Sequence, residues 1–315
     1  LVRAPGDVSS GLGLARARIS QERFDEALAG ARELLASQRE DTRVWTMIGW
    51  IEIRRGQAPA AAEALAEAMR LAPWNTGAQH LAATLAVNRR DWPMAVRLFR
   101  QLTRAEPANA LLWIQLAEAQ YGAQDYERAL AAAEQLLALS PEHADGLLWK
   151  GAALSALGRR QEAIEALRAA LAGAPASPVL AWLALANTYY ALRLFPEAIA
   201  AYRQAEKFAS HREAAQDSLG IALKDAGQFD AALQLFEAAK AKRPEDPFVW
   251  RQIGFVNAAL GRSELAIPAL EQSLKLDAKQ AKVWHALLES YHAAGRPEDV
   301  RRVHARLLEL DRGHA

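Results

Sequence analysis

His285, Glu289 and His292 stand four and three residues apart in "AKVWHALLESYHA", residues 281–293. On a helix this spacing gathers two imidazoles and a carboxylate on one face, a donor set suited to a divalent cation such as zinc. No fourth ligand is evident, so the trio is a weak metal candidate against the plainer reading of a solvated polar patch. Other reactive chemistry is scarcer. The 315 residues contain no Cys, which removes thiolate nucleophiles, disulfides and Cys-ligated zinc. No phosphate-cradling G-x-x-x-x-G-K-[ST], no G-x-S-x-G elbow and no H-E-x-x-H occurs. "GLG" at 11–13 is a fragment of a dinucleotide fingerprint, placed before a poor helix rather than after a strand. Glu22 with Glu26, and Glu206 with Glu213, are ordinary helix-surface charges beside Lys and Arg. No catalytic residue is assigned. The expectation is a chain that is not an enzyme and needs no cofactor.

Bulk properties narrow the partners. With 38 basic and 37 acidic residues the formal charge is +1, so the electrostatic footprint of a nucleic-acid binder is missing. Apolar residues make up 51% of the chain. None of their runs approaches the roughly 20 residues a spanning helix requires, which argues against direct membrane insertion. Leu1 to Gly13 lacks the basic start and apolar block of a signal peptide. A start on Leu1 suits a processed chain or a piece of a longer one.

What must position any site is a repeat. Trp45, Trp113, Trp182, Trp250 and Trp284 are separated by 68, 69, 68 and 34 residues, multiples of 34 with one extra. Fixed-period self-similarity of this length signals a repeat architecture. With Trp45 as fourth residue, repeats begin at Thr42, Thr76, Ala110, Ala144, Val179, Glu213, Pro247 and Ala281, and a weaker one near Val8. The extra residue lies in "AGAPASPV", residues 172–179. Within a repeat, apolar residues recur at spacings of three and four on two segments, as on two amphipathic helices. Gly56, Gly158, Gly227, Gly261 and Gly295 stand where the first helix stops; Pro73, Pro107, Pro141, Pro175 and Pro244 follow the second.

Small residues recur at one point of each first helix: Gly49, Ala83, Ala117, Gly151, Ala186, Gly220 and Gly254. A second set, from Ala61 to Ala266, recurs on the second helices, and such residues let helix axes approach closely. Trp or Leu, then Leu/Ile-Gly/Ala, then Tyr, Gly, Tyr/Phe, Ala, Phe/Tyr, Ala and Pro at period 34 resembles the tetratricopeptide repeat. The likeness covers 42–315 well and 8–41 loosely, through Phe24, Ala27, Ala31 and Leu34. Leu288, Pro297 and Val300 depart from the pattern in the ninth repeat.

The resemblance implies an all-α fold, a right-handed superhelical α-solenoid of about nine helix-turn-helix repeats. Residues 1–7 are then a linker or disordered segment and 8–41 a degenerate first repeat with little to bury. Four repeats follow over 42–178, and four more over 179–315 after the one-residue insertion. It also implies that the first helices line a concave groove for another protein, presented as a peptide, a helix or a domain. By analogy with the family, the groove residues are Trp50, Leu111, Ile114, Tyr121, Leu148, Trp149, Leu180, Leu183, Asn187, Tyr190, Phe248, Arg251 and Phe255. Glu118, His80, Asp217 and Lys224 share that wall. The middle of the strip is mainly apolar or aromatic, and Tyr and Trp are favoured anchors. Its alternative is a strip covered by neighbouring helices.

The function expected is a non-catalytic interaction scaffold. Richness in Ala, Leu and Arg suits a bacterial protein. A narrower resemblance is to the periplasmic repeat regions of bacterial exopolysaccharide-export proteins, which places the periplasm ahead of the cytoplasm. A regulatory or substrate-recruiting arm of a larger transferase, and a scaffold that self-associates into a homo-oligomer, stay open beside it.

Overall fold

The computed structural model describes residues 8–312, with side chains through Leu307; the expected linker at 1–7 lies outside the described residues. Eighteen α-helices occupy them, and no strand is present among the described residues. The chain forms two compact bodies, Leu1–Arg159 and Arg160–Ala315. The first contains α1 (Val8–Ser20), α2 (Phe24–Ser37), α3 (Thr42–Arg54), α4 (Ala58–Leu71), α5 (Thr76–Asn88), α6 (Trp92–Ala105), α7 (Ala110–Gly122), α8 (Tyr126–Leu139) and α9 (Ala144–Ala156). The second contains α10 (Arg160–Ala172), α11 (Pro178–Ala191), α12 (Phe195–Ala205), α13 (Arg212–Asp225) and α14 (Phe229–Lys242). It continues through α15 (Pro247–Ala259), α16 (Ser263–Leu276), α17 (Ala281–Ala293) and α18 (Pro297–Arg312). In each body antiparallel helical hairpins stack as an α-solenoid, every helix packing on its sequence neighbours.

Close helix approach holds each hairpin together. A Cβ added to Gly49 would come within 2.6 Å of Leu65, and one on Gly254 within 2.5 Å of Leu270. Gly220 meets Phe236 in the same way, at 2.6 Å. The bulky side chain of the second helix thus lies directly on the backbone of the first. Such contact repays the roughly 1 kcal/mol that a mid-helix Gly costs relative to Ala.

The first repeat holds more than its sequence promises. Val8, Leu12, Ala15 and Ile19 of α1 are buried and join a core with Ala27, Leu28, Val44 and Ile51. The "GLG" fragment is helical, and Gly11 is pressed against Leu34, where a Cβ would lie 2.5 Å away. Its neighbour Gly13 has nothing within 4 Å. At the other end Leu288, despite its size, packs on the core of Val283, Leu287, Tyr291, Val303 and Leu307.

Each hairpin turn uses one left-handed residue, fifteenth in the repeat. Gly227 takes φ +77° there, whereas Glu22, Arg90, Gln124 and Arg193 take φ between 58° and 61° despite their side chains. The next N–H then reaches back to the helix, as from Arg262 to the Asn257 carbonyl at 2.9 Å, and satisfies an end carbonyl. Ala174, in the connector that carries the extra residue, adds a further left-handed position at φ 54°.

The recurring Trp has a structural task. Indole N–H groups of Trp45, Trp113, Trp250 and Trp284 donate to the carbonyls of Arg39, Pro107, Pro244 and Ala278, at 2.7 to 2.9 Å. Each acceptor lies six residues earlier, in the connector between repeats. Where the fourth residue is Gln79, its Nε2 makes the equivalent bond to Pro73, at 2.5 Å. Period 34 therefore carries a joint latch as well as a packing surface.

Three substitutions test this packing, each read by urea unfolding of the full chain. Gly254→Ala forces Leu270 off its seat and destabilises by about 1–3 kcal/mol, whereas Gly13→Ala, unobstructed, stabilises by about 0.5–1 kcal/mol. Trp113→Phe keeps an aromatic ring, though a smaller one, and strips the Pro107 carbonyl of its indole donor, at a cost of about 1 kcal/mol or more.

Candidate partner-binding face

In the N-terminal body α1 touches α3, α3 touches α5 and α7 touches α9, so successive first helices form one layer. Leu111, Ile114, Glu118 and Tyr121 project from one face of α7, since helical residues three and four apart are neighbours. Leu111 is 52% exposed, and Ile114 and Tyr121 are half-buried. Tyr121 packs against Tyr126 and Trp149, ring centroids 5.3 and 5.7 Å apart. Trp149 also leans on the core built around Leu112 and Leu116. Trp50 is half-buried against the core of the first repeats. Leu148 is a correction: at 2% exposure it is core and offers no wall. Superposing family positions on α9 put it on the groove, but the helix turns that side chain inward.

In the C-terminal body the expected residues are engaged within the chain. Leu180 and Leu183 pack with Trp182 and Phe208 around Val179, Ala205 and Ala215. Asn187 accepts from the buried Tyr202 hydroxyl at 2.5 Å, tying α11 to α12. Tyr190 donates to Asp225, tying α11 to α13, and its ring stands 5.9 Å from Phe195. Phe248 meets Phe236 edge-on at 6.4 Å, and the Arg251 guanidinium sits 5.2 Å from its ring centroid. Arg251 also donates to Gln280 at 2.9 Å. Phe255 packs on the last core, around Ile267 and Leu287. The polar wall residue Asp217 receives a two-pronged bond from Arg243, at 2.6 and 3.1 Å.

Sequence reasoning missed the partners that close these bonds. His80 donates to Gln115 at 2.8 Å, and Tyr190 to Asp225; each pair is 35 residues apart. One period plus one residue places a side chain beside its counterpart on the next first helix. A search for polar pairs at that separation would have found both. Also unforeseen is Trp74, 78% exposed in the connector before α5.

His285, Glu289 and His292 are exposed, and no group of three potential ligands converges on a metal site among the described residues. Sharing a helix face does not bring their donor atoms together. Clefts open elsewhere: one of about 620 Å³ between α12, α13 and α14, lined in part by Arg203, Lys207 and Arg212. Another, of about 370 Å³, is lined by Trp182, Leu185 and Tyr189.

Burial sets the electrostatics. It pushes the Glu118 carboxyl and the Tyr121 phenol above their usual ranges. Tyr190 is pushed up to about 12 by burial and by its bond to Asp225, and Tyr202 to about 12 by burial. Tyr291 reaches about 12 through burial and its bond to Glu271. Although burial opposes it, the bonds from Tyr190 and Lys224 hold Asp225 below its ordinary value.

Tetratricopeptide repeat models match residues 12–75, 80–127, 114–178, 156–218, 183–247 and 218–281. Among solved structures, YrrB, a TPR protein with an unusual peptide-binding site, is 20% identical, with a TM-score of 0.52 over 60% of this chain and 96% of that one. A tetratricopeptide repeat protein from Parabacteroides merdae ATCC 43184 is 16% identical, with a TM-score of 0.60 over 79% of this chain and 98% of its own. MamA from Desulfovibrio magneticus RS-1 is 18% identical, at a TM-score of 0.50 over 54% and 96%. At these identities the likeness is one of fold. Among curated proteins no significant match is found.

The tyrosines give a pH prediction. A phenol whose folded pKa is raised binds its proton more tightly in the folded chain. Its stabilising contribution is complete below the usual value near 10 and is lost as pH rises through about 12. Phenolate absorbance should therefore show a late-titrating group of tyrosines accompanied by loss of helix, and Tyr190→Phe should remove one of them.

Proposed function

Because the chain belongs to the tetratricopeptide repeat family, we propose that it is a non-catalytic interaction scaffold that holds an apolar segment of another protein. The main contact is the face of α7 in the N-terminal body, formed by Leu111, Ile114 and Tyr121 with Trp149 beside them. The observation that carries this reading is Leu111: a large aliphatic side chain, 52% exposed, on a face continued by half-buried aromatic rings. In water that arrangement leaves apolar area that a partner gains by covering, at about 25 cal/mol per Å². Tyr121 and Trp149 already brace one another, so little side-chain freedom is lost when a ligand settles on them. Leu180, Leu183, Asn187 and Tyr190, with Phe248, Arg251 and Phe255, serve mainly as structure in the C-terminal body, which shifts the weight of binding toward α7. The peptide-binding site of YrrB offers a precedent for such use of stacked helical hairpins. No cofactor takes part in this contact.

Short random peptides selected on the immobilised full chain provide the test. Peptides enriched on the wild type should bind a Leu111→Ser, Ile114→Ser double variant at least about tenfold more weakly, with helix content unchanged by circular dichroism. Equal affinity for the two proteins would refute the assignment of this face.

A further inference from the structure

Glu118 lies between Ile114 and Tyr121 on the proposed face, half-buried, and its carboxylate has no cation or hydrogen-bond donor among the described residues. The chain treats other shielded carboxylates differently. Glu52, 2% exposed, is held by Arg55 at 2.9 Å and by Arg32 at 3.6 Å. Asp217 is held by Arg243 at 2.6 Å. A carboxylate drawn out of water without a partner is a net cost, because desolvation disfavours the charged form and nothing offsets it. On Glu118 burial is the sole cause that shifts the carboxyl upward, and no neighbouring charge contributes. Covering Leu111 and Ile114 with a wholly apolar segment would deepen that cost. Covering them with a segment that carries a cation would remove it.

We infer that the occupant of this face is a segment of a partner protein whose apolar residues cover Leu111, Ile114 and Tyr121 while a lysine or arginine side chain meets Glu118. This rests on the interaction reading above and specifies its partner. The pairing is complementary in charge and set in an apolar surround, where it discriminates among ligands more strongly than it adds affinity. The Tyr121 ring, neighbouring Glu118 on α7, offers the same cation a π face.

Peptides selected on the full chain, and dependent on Leu111, should carry a basic residue among apolar ones. Replacing that residue by norleucine should weaken binding to the wild type about tenfold and leave binding to Glu118→Gln nearly unchanged, the signature of a direct pair in a double-mutant cycle. Leu111-dependent peptides without a basic residue, or with one whose replacement matters equally to Glu118→Gln, would overturn the inference and leave the interaction reading standing. Peptides indifferent to Leu111 would overturn both. A ligand-free measurement guards the conclusion: at neutral pH, Glu118→Gln should melt at or above the wild-type temperature, since the neutral amide escapes the desolvation cost. A lower melting temperature would show that the fold itself uses the charge, and would sink the idea.

Discussion

The contact between a backbone without a side chain and a bulky residue opposite it governs how this chain is built. Gly49 under Leu65, Gly220 under Phe236 and Gly254 under Leu270 draw the two helices of a hairpin to a separation that no larger residue permits. That separation fixes which faces of a helix are spent on its own hairpin and which are left for the next. In α7 the same position is held by the fully buried Ala117, and the layer that α7 forms with α9 carries the aromatic pair Tyr121 and Trp149. Where the small residue becomes Leu288, the neighbouring core is assembled from Val283, Tyr291 and Val303 instead.

A second level of order joins hairpin to hairpin. Indole and amide donors reach back to connector carbonyls, and polar pairs one period plus one residue apart link adjacent first helices, as His80 does with Gln115. These bonds are directional, so they set register where packing alone would let a helix slide. They also explain why a polar residue on a first helix is not by itself a ligand contact. Asn187, Tyr190 and Arg251 are each committed to a neighbour, whereas Glu118 is not.

The repeats, their helices and their turns were legible in the sequence because a period of 34 is written in residues that local physics constrains: Gly at a left-handed turn, small residues at crossings, Pro after a helix. Side-chain fates were less legible. Family position put Leu148 on the wall, yet at 2% exposure it is interior, since a small rotation of α9 exchanges wall for core. With Gly11 and Gly13, the first repeat reads as a poor helix with little to bury; only the distance to Leu34 separates the useful glycine from the idle one. Four turns use Glu22, Arg90, Gln124 and Arg193 in place of Gly, so punctuation by glycine alone undercounts the turns. The commitments of Tyr190 and Asn187 depend on partners 35 and 15 residues away and have no local signature.

The indole latches have a consequence for observing the molecule. Each ring that holds a connector carbonyl also emits light whose colour depends on its surroundings. Trp45, Trp113, Trp250 and Trp284 are therefore intrinsic gauges of four of the junctions, spread from the third helix to the seventeenth. In a variant that keeps one of these four as the sole indole among the chain's nine, loosening at that joint registers without any label, so local opening and wholesale melting leave different spectral traces.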